Sequence, residues 1–384
     1  MRLTEKHIKH LKPFRKLDME PENQYLFVFG RDAKLSLAEL TMYFLGDAKA
    51  RIRGVSPYGA VISFSKEIDP SKIIKELGGT TKIAKVIGET GEEIEQIISK
   101  KALETPDNRI TFGISKYQGW GTSTLREQIK DAYRRYKIKA QQKQPRNKRH
   151  FTPREIRERL VEYIQFRRYV CITEAVTDSS EYEERDEKRP EFEGRKATSI
   201  RLSKIMINLS GAKEGDTLLD PFCGTGTILQ EATLRGIKGI GVDLKISQAK
   251  KNMEWISKKN KIDVKLYEGR SQEVSKIIKE KIDVVVTEPY LGPYMKTNPT
   301  LNEGEKIVKN LRRMYEETLK SLHPLVKKRV CIIVPQIRTK DKILGIGFPK
   351  ILKRANYSEE KMIRQPILIP GRVIDRLIFV ISPE

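Results

Sequence analysis

A chain of 384 residues with 38% hydrophobic content is long enough for two or three separately cored domains. Lysine and arginine total 75 against 51 acidic residues, and the net charge of +24 points to a polyanionic partner. No apolar run approaches the roughly 20 residues that span a bilayer, which argues against a membrane partner. Cys171, Cys223 and Cys331 stand too far apart for a disulfide framework or a zinc site. No metal is expected, and the isolated thiols fit a reducing cytoplasm.

Residues 1–24 form a polar, basic leader that lacks the apolar core of a signal peptide. Residues 25–29 read as a strand, with Gly30 and Asp32 supplying the turn. A helix is expected from Ser36, which stands in capping-box spacing with Glu39 and precedes the apolar stripe Leu37, Leu40 and Phe44. A strand at 59–64, a helix at 70–77 and a strand at 82–87 complete a β-α-β-α-β order. That order suggests a ferredoxin-like module over residues 25–95.

The next block, residues 96–177, opens with a strand at 109–115, crosses a turn at Gly119, Trp120 and Gly121, and becomes helical over 123–136. A stretch with no acidic residue follows: Arg134, Arg135, Lys137, Lys139, Lys143, Arg146, Lys148 and Arg149, interleaved with Gln141, Gln142, Gln144 and Asn147. A merely solvated helix face usually mixes signs, so these eight cations are candidates for binding RNA phosphates. Residues 168–173 read as a closing strand. Residues 178–198 mix acidic and basic side chains with few apolar ones and read as an ordered linker.

From residue 199 strands and helices alternate as in a parallel, doubly wound sheet. Strands are expected at 217–222, 237–244, 264–267, 282–287 and 329–335, and helices at 226–234, 247–258, 271–279 and 303–322. Two final strands, 366–369 and 376–381, flank Pro370 and Gly371 as a hairpin. A seven-stranded sheet with such an antiparallel ending is of the Rossmann-like methyltransferase type, whereas a dinucleotide dehydrogenase would continue in parallel.

The sharpest local pattern runs from Leu218 through Asp220, Phe222, Gly224 and Gly226 to Thr227. An apolar strand enters an acidic residue and a Gly-Thr-Gly turn, so backbone can approach a ligand in the crevice at the strand's carboxyl end. Neither GxGxxG nor GK[ST] is present, which excludes the dinucleotide and phosphate loops. Asp243, followed by Leu244, ends the second strand where a carboxylate can accept the hydroxyls of a ribose. After the third strand Arg270 stands where many methyltransferases carry an acid, so an adenine contact passes to backbone, Ser271 or Gln272. The fourth strand ends in Thr287, Glu288, Pro289 and Tyr290.

Enzymes that methylate a base amino group carry Asn/Asp-Pro-Pro-Tyr/Phe at that fourth-strand position. The amine's lone pair is delocalised into the ring, so a carbonyl or carboxylate must hold its N–H groups while an aromatic ring stacks on the base. Either Thr287 or Glu288 replaces the Asn/Asp, depending on register; Glu288 is preferred because a carboxylate can accept those N–H groups. The alternative is that Glu288 only caps the turn and Tyr290 packs on the sheet.

In combination these segments resemble the THUMP-containing tRNA guanosine-N2 methyltransferases that act on guanosine ten. The resemblance rests on Tyr25 to Gly30, Leu35 to Leu40, Leu77 to Lys85, Tyr182, Arg185-Asp186, Arg189-Pro190, Leu202 to Leu209, and Asp220 to Gly226, and spans nearly the whole chain. It implies ferredoxin-like and THUMP α+β domains that grip tRNA, followed by an α/β domain over 199–384 that binds S-adenosylmethionine. The Thr287 to Tyr290 segment departs from the usual pattern and resembles a divergent branch. A DNA amino-methyltransferase would carry a target-recognition domain in place of this N-terminal half. A 5-methylcytosine enzyme needs a thiol beside the base, which no cysteine here supplies. An RNA-binding protein with a decayed catalytic domain remains a rival, and the sequence leaves open a small activator subunit.

Overall fold

The computed structural model describes residues 23–44, 50–89, 94, 98, 108–118, 123–147, 149–157, 160–191 and 198–384. The leader through residue 22, the turn at 119–121, Lys148 and linker residues 192–197 lie outside the described residues. Two compact units emerge, residues 1–37 with 46–181 and residues 38–45 with 182–384.

The first unit is organised by one sheet. The chain order here is β1 (Asn23–Phe29), α1 (Ala33–Tyr43, grouped with the second unit from Ala38 on), β2 (Arg51–Ser56), β3 (Gly59–Phe64), α2 (Pro70–Glu76) and β4 (Thr80–Glu89). Then come β5 (Arg109–Gln118), α3 (Ser123–Arg135), β6 (Lys139–Lys143), α4 (Pro153–Arg157), β7 (Leu160–Phe166) and β8 (Tyr169–Val176). The strands lie in the order β2-β3-β1-β4-β8-β7-β5-β6, a single eight-stranded sheet that runs through both expected N-terminal modules. The first six elements follow β-α-β-β-α-β, one strand more than the sequence suggested.

Asp32, rather than Ser36, starts α1: its Oδ1 accepts from the backbone N–H of Lys34 and Leu35 at 3.0 and 3.1 Å. Ser36 lies inside the helix and donates its hydroxyl to the carbonyls of Asp32 and Gly79. The basic stretch contains β6, an edge strand paired in parallel with β5. Lys139, Gln141 and Lys143 point out from that edge while Ala140 and Gln142 are half-buried.

Helix α3 buries Leu125, Ile129, Ala132 and Tyr133 against Phe112 and Tyr163 of the sheet. Spacing of three or four residues puts these side chains on one face, at roughly 1.5–3 kcal/mol each for full burial of a large apolar group. Elsewhere the sheet buries an ion pair. Lys82 Nζ donates to Glu162 Oε1 at 2.5 Å and to the Phe151 carbonyl at 2.6 Å, while the hydroxyls of Ser115 and Thr173 also donate to Glu162.

The expected linker contains α5 (Ser179–Glu187), and the second unit continues with α6 (Ile200–Ser210), β9 (Thr217–Asp220), α7 (Thr227–Thr233), β10 (Lys238–Asp243), α8 (Ser247–Ser257) and β11 (Val264–Glu268). A 3-10 turn (Ser271–Glu273) and the short α9 (Val274–Ile277) replace the single helix expected at 271–279. They are followed by β12 (Ile282–Thr287), α10 (Leu301–Leu322), β13 (Val326–Arg338), β14 (Ile343–Gly345), α11 (Phe348–Arg354), β15 (Tyr357–Glu359), β16 (Ile367–Ile369) and β17 (Ile374–Pro383). Thr300 and Glu303 form a reciprocal capping box, so α10 begins earlier than its apolar stripe indicated.

The main path of this sheet is β11-β10-β9-β12-β13-β17-β15. The links from β11 to β13 are parallel, and β17 inserts antiparallel between β13 and β15. The expected hairpin is present, with Leu368 opposite Leu377. Its first strand, β16, lies off the seven-strand path, however, and the short edge strand β15 takes the seventh place. Leu219, Ile240, Val285 and Val330 of the sheet pack in one core with Val308, Leu311, Tyr315 and Leu319 of α10. This core fixes the carboxyl ends of β9, β10 and β12 side by side. Among the described residues no helix is long and apolar enough to cross a membrane, and no group of three His, Cys, Asp or Glu side chains could hold a metal ion.

Candidate active site

Strand order places β9 between β10 and β12, so Asp220, Asp243 and Thr287 end neighbouring strands. Asp220 is buried, and its Oδ1 accepts from the Thr287 hydroxyl at 2.7 Å and the Phe222 N–H at 3.1 Å. Burial pushes its carboxyl up to about 7, opposed by those two hydrogen bonds and reinforced by the negative charges of Asp243 and Glu288.

Asp243 is half-buried and holds the same loop from the other side. Its Oδ2 accepts from the Gly224 N–H at 2.9 Å and its Oδ1 from the Lys245 N–H at 3.2 Å. Gly224 and Gly226 both lie in the left-handed region, at φ 51° and 84°, which strains any residue with a Cβ. A Cβ built on Gly224 meets no atom within 4 Å, so the backbone there faces open space. The next residue, Leu244, is 64% exposed. These features fit an adenosine-bearing ligand: a bare backbone cradle beside a strand-end carboxylate.

Ser271 is buried, and its hydroxyl lies 3.1 Å from that of Thr318 on α10. Gln272 Oε1 accepts from the same Ser271 hydroxyl at 3.2 Å. Thr227 is buried, and its hydroxyl accepts from Arg189 Nη1 at 2.7 Å. Phe222 is half-buried in the loop.

At the end of β12 the two possible registers separate physically. Thr287 is buried, and its hydroxyl donates to Asp220. Glu288 stands beyond it, with Oε2 accepting from the Thr198 hydroxyl at 2.5 Å and Oε1 from Arg376 Nη1 at 3.2 Å. Each carboxylate oxygen has two acceptor sites, so these bonds orient the group while leaving capacity for N–H donors. Pro289 is buried, whereas Tyr290 is 55% exposed and is therefore not packed into the sheet. Tyr294, four residues on, is more exposed still.

Sequence reasoning missed Arg376, Thr198 and Asn252. Arg376 comes from β17, 88 positions after Glu288, and no local pattern links the two. All three cysteines are free and buried, and burial raises each thiol far above its ordinary range. None is a reactive thiolate of the kind a 5-methylcytosine enzyme requires.

In the first unit Arg134, Arg135, Lys137, Lys139, Lys143, Arg146 and Arg149 are all exposed. Arg134 donates to Asp131 at 2.8 Å on the surface.

A family model described as the RMKL-like methyltransferase domain matches residues 188–346. A DNA methylase model matches residues 92–254, a span that stops before β12. The tRNA (guanine(10)-N2)-dimethyltransferase of Methanothermobacter thermautotrophicus is 31% identical over 50% of this chain and 53% of its own. That of Methanocaldococcus jannaschii is 35% identical over 30% of this chain and 34% of its own. A probable tRNA (guanine(10)-N2)-dimethyltransferase of Methanothermococcus thermolithotrophicus is 30% identical over 29% of this chain and 70% of its own. The alignments thus span about half or less of the first two relatives. Among solved structures, TrmN from Thermus thermophilus aligns over 94% of this chain and 100% of its own, with 17% identity and a TM-score of 0.47.

Proposed function

This chain belongs to the tRNA (guanine(10)-N2)-dimethyltransferase family, and from that premise we propose that it methylates the exocyclic N2 of a guanosine in cytoplasmic tRNA, position 10 being the target. The observation that carries this reading is the end of β12: a carboxylate oriented by two partners, with an exposed tyrosine two residues beyond it.

In this reading S-adenosylmethionine is held by the backbone from Asp220 to Thr227 and by Asp243, with Leu244 beside it. When bound it supplies an electrophilic methyl group on a sulfonium. Gly224 lets backbone approach closely, and Asp243 presents acceptor sites beyond those used by Gly224 and Lys245. Glu288 accepts the N–H groups of the target amine and turns its lone pair out of conjugation, assisted by the Pro289 carbonyl, while Tyr290 stacks on the extruded base. Ser271 and Thr287 act as supports behind the site.

For the domains, we assign residues 25–95 to a ferredoxin-like module and 96–177 to a THUMP module. Residues 178–198 form the linker and 199–384 the methyltransferase domain. The β-α-β-β-α-β order supports the first assignment. The exposed cations from Arg134 to Arg149 are suited to tRNA phosphates. The DNA methylase match favours a second reading, a DNA amino-methyltransferase.

Mass spectrometry of nucleosides, after incubating unmodified tRNA or duplex DNA with the protein and methyl donor, decides between them. The proposal expects one or two methyl groups on N2 of guanosine in tRNA. Methylated adenine or cytosine in DNA would establish the second reading, and no transfer to either would leave a decayed catalytic domain.

A further inference from the structure

A segment that only joined two domains would stay solvated. Here, instead, the described residues on both sides of positions 192–197 are bonded to the two halves of the candidate site. Arg185 clamps buried Glu231 on α7 through Nε at 2.9 Å and Nη2 at 3.3 Å. The guanidinium of Arg189 is buried, an arrangement that costs several kcal/mol unless charge and hydrogen bonds offset it. The carboxylates of Asp186 and Glu231 supply the opposing charge, and the Thr227 hydroxyl accepts from Nη1 at 2.7 Å.

Glu191 is pinned through its backbone. Its N–H donates to Asn252 Oδ1 at 3.0 Å, and its carbonyl accepts from Asn252 Nδ2 at 2.9 Å. That same Nδ2 donates to the Thr225 carbonyl at 2.9 Å, between the two left-handed glycines. A loop with glycine at two such positions loses more conformational freedom on ordering than one without them, so external holds matter there. On the far side of 192–197, Thr198 donates to Glu288 Oε2 at 2.5 Å.

We propose that Arg189 and Thr198 are positioning residues of the reaction, Arg189 shaping the donor loop through Thr227 and Thr198 aiming the Glu288 carboxylate at the target amine. This rests on the methyltransferase reading above. The two residues act on different halves of the site, so their effects separate. Arg189 governs affinity for the donor. Thr198 governs the rate of transfer once donor and tRNA are bound.

The test uses the full chain, with S-adenosylhomocysteine as the calorimetric probe and single-turnover methyl transfer to tRNA as the kinetic one. R189A is expected to weaken S-adenosylhomocysteine binding by about tenfold or more, the range for loss of a hydrogen bond from a charged group. T198V is expected to lower the single-turnover rate by about tenfold with probe affinity unchanged, and T198S to restore it. Melting is followed for each variant. If R189A does not fold, T227V removes the acceptor instead; weaker probe binding is expected, with recovery in T227S.

Folded variants with wild-type affinity and rate would overturn the proposal, as would a T198V defect that T198S fails to repair. Wild-type protein that binds no S-adenosylhomocysteine would overturn the underlying reading instead.

Discussion

Glu162 in the first unit and Asp220 in the second are both buried carboxylates, but their surroundings differ in kind. Glu162 faces Lys82 at 2.5 Å and also accepts from Ser115 and Thr173, so its charge is matched within the sheet. Asp220 has no cationic partner among the described residues and relies on one hydroxyl and one backbone N–H. Its carboxyl is consequently pushed up to about 7 by burial. A buried charge paired in this way is costly to strand by removing its partner. A buried carboxylate without a cation, at the carboxyl end of a central strand, is the arrangement expected at a functional crevice.

The largest effect that sharpens this contrast is on stability. Lys82→Met should destabilise the protein by about 3–5 kcal/mol in chemical denaturation, because it strands Glu162 without its cation. Adding Glu162→Leu should recover much of that loss. A single variant as stable as wild type would show that Glu162 is not held as a charge.

Asp220 should respond to pH in a characteristic direction. Its folded value is raised above the ordinary aspartate range, so between about pH 4 and pH 7 the folded state retains a proton that the unfolded chain has lost. The contribution of this group to stability therefore falls as pH rises through that window. Asp220→Asn should flatten the decline, and a decline of equal steepness in the variant would remove Asp220 as its source.

The smallest expected effect belongs to the exposed cations. Changing Arg146 and Arg149 to Ala should reduce the slope of log K for tRNA against log salt by roughly 0.7–0.9 for each phosphate that is no longer neutralised. Binding of S-adenosylhomocysteine should not change. An unaltered slope would make this edge an ordinary solvated surface.

Legibility in the sequence divides by position in the sheets. Central strands such as β9, β10 and β12 are short apolar runs bounded by turn residues, and their positions follow from composition. Of the strands the sequence did not reveal, β2, β6 and β15 are sheet edges, whereas β7 lies inside its sheet between β8 and β5 and β14 pairs only with β13. Arg51 and Arg53 in β2 and Lys139 and Lys143 in β6 are the charges that protect edges from pairing with other chains, and they erase the apolar alternation that would reveal a strand. In the site, the strand-end carboxylates were readable from local patterns. Thr198 and Arg376 were not, because only tertiary folding brings them to Glu288. The mistaken cap at Ser36 has a similar origin: the spacing to Glu39 is right, but Asp32 captures the first free N–H groups four residues earlier.

The central claim is that the carboxylate after β12 orients a base amine for methyl transfer. Its most direct test is the single-turnover rate of Glu288→Ala with saturating S-adenosylmethionine and tRNA. The expected result is a rate at least about a hundredfold below wild type, with affinities for S-adenosylhomocysteine and tRNA little changed. A variant that methylates tRNA at close to the wild-type rate would contradict the claim.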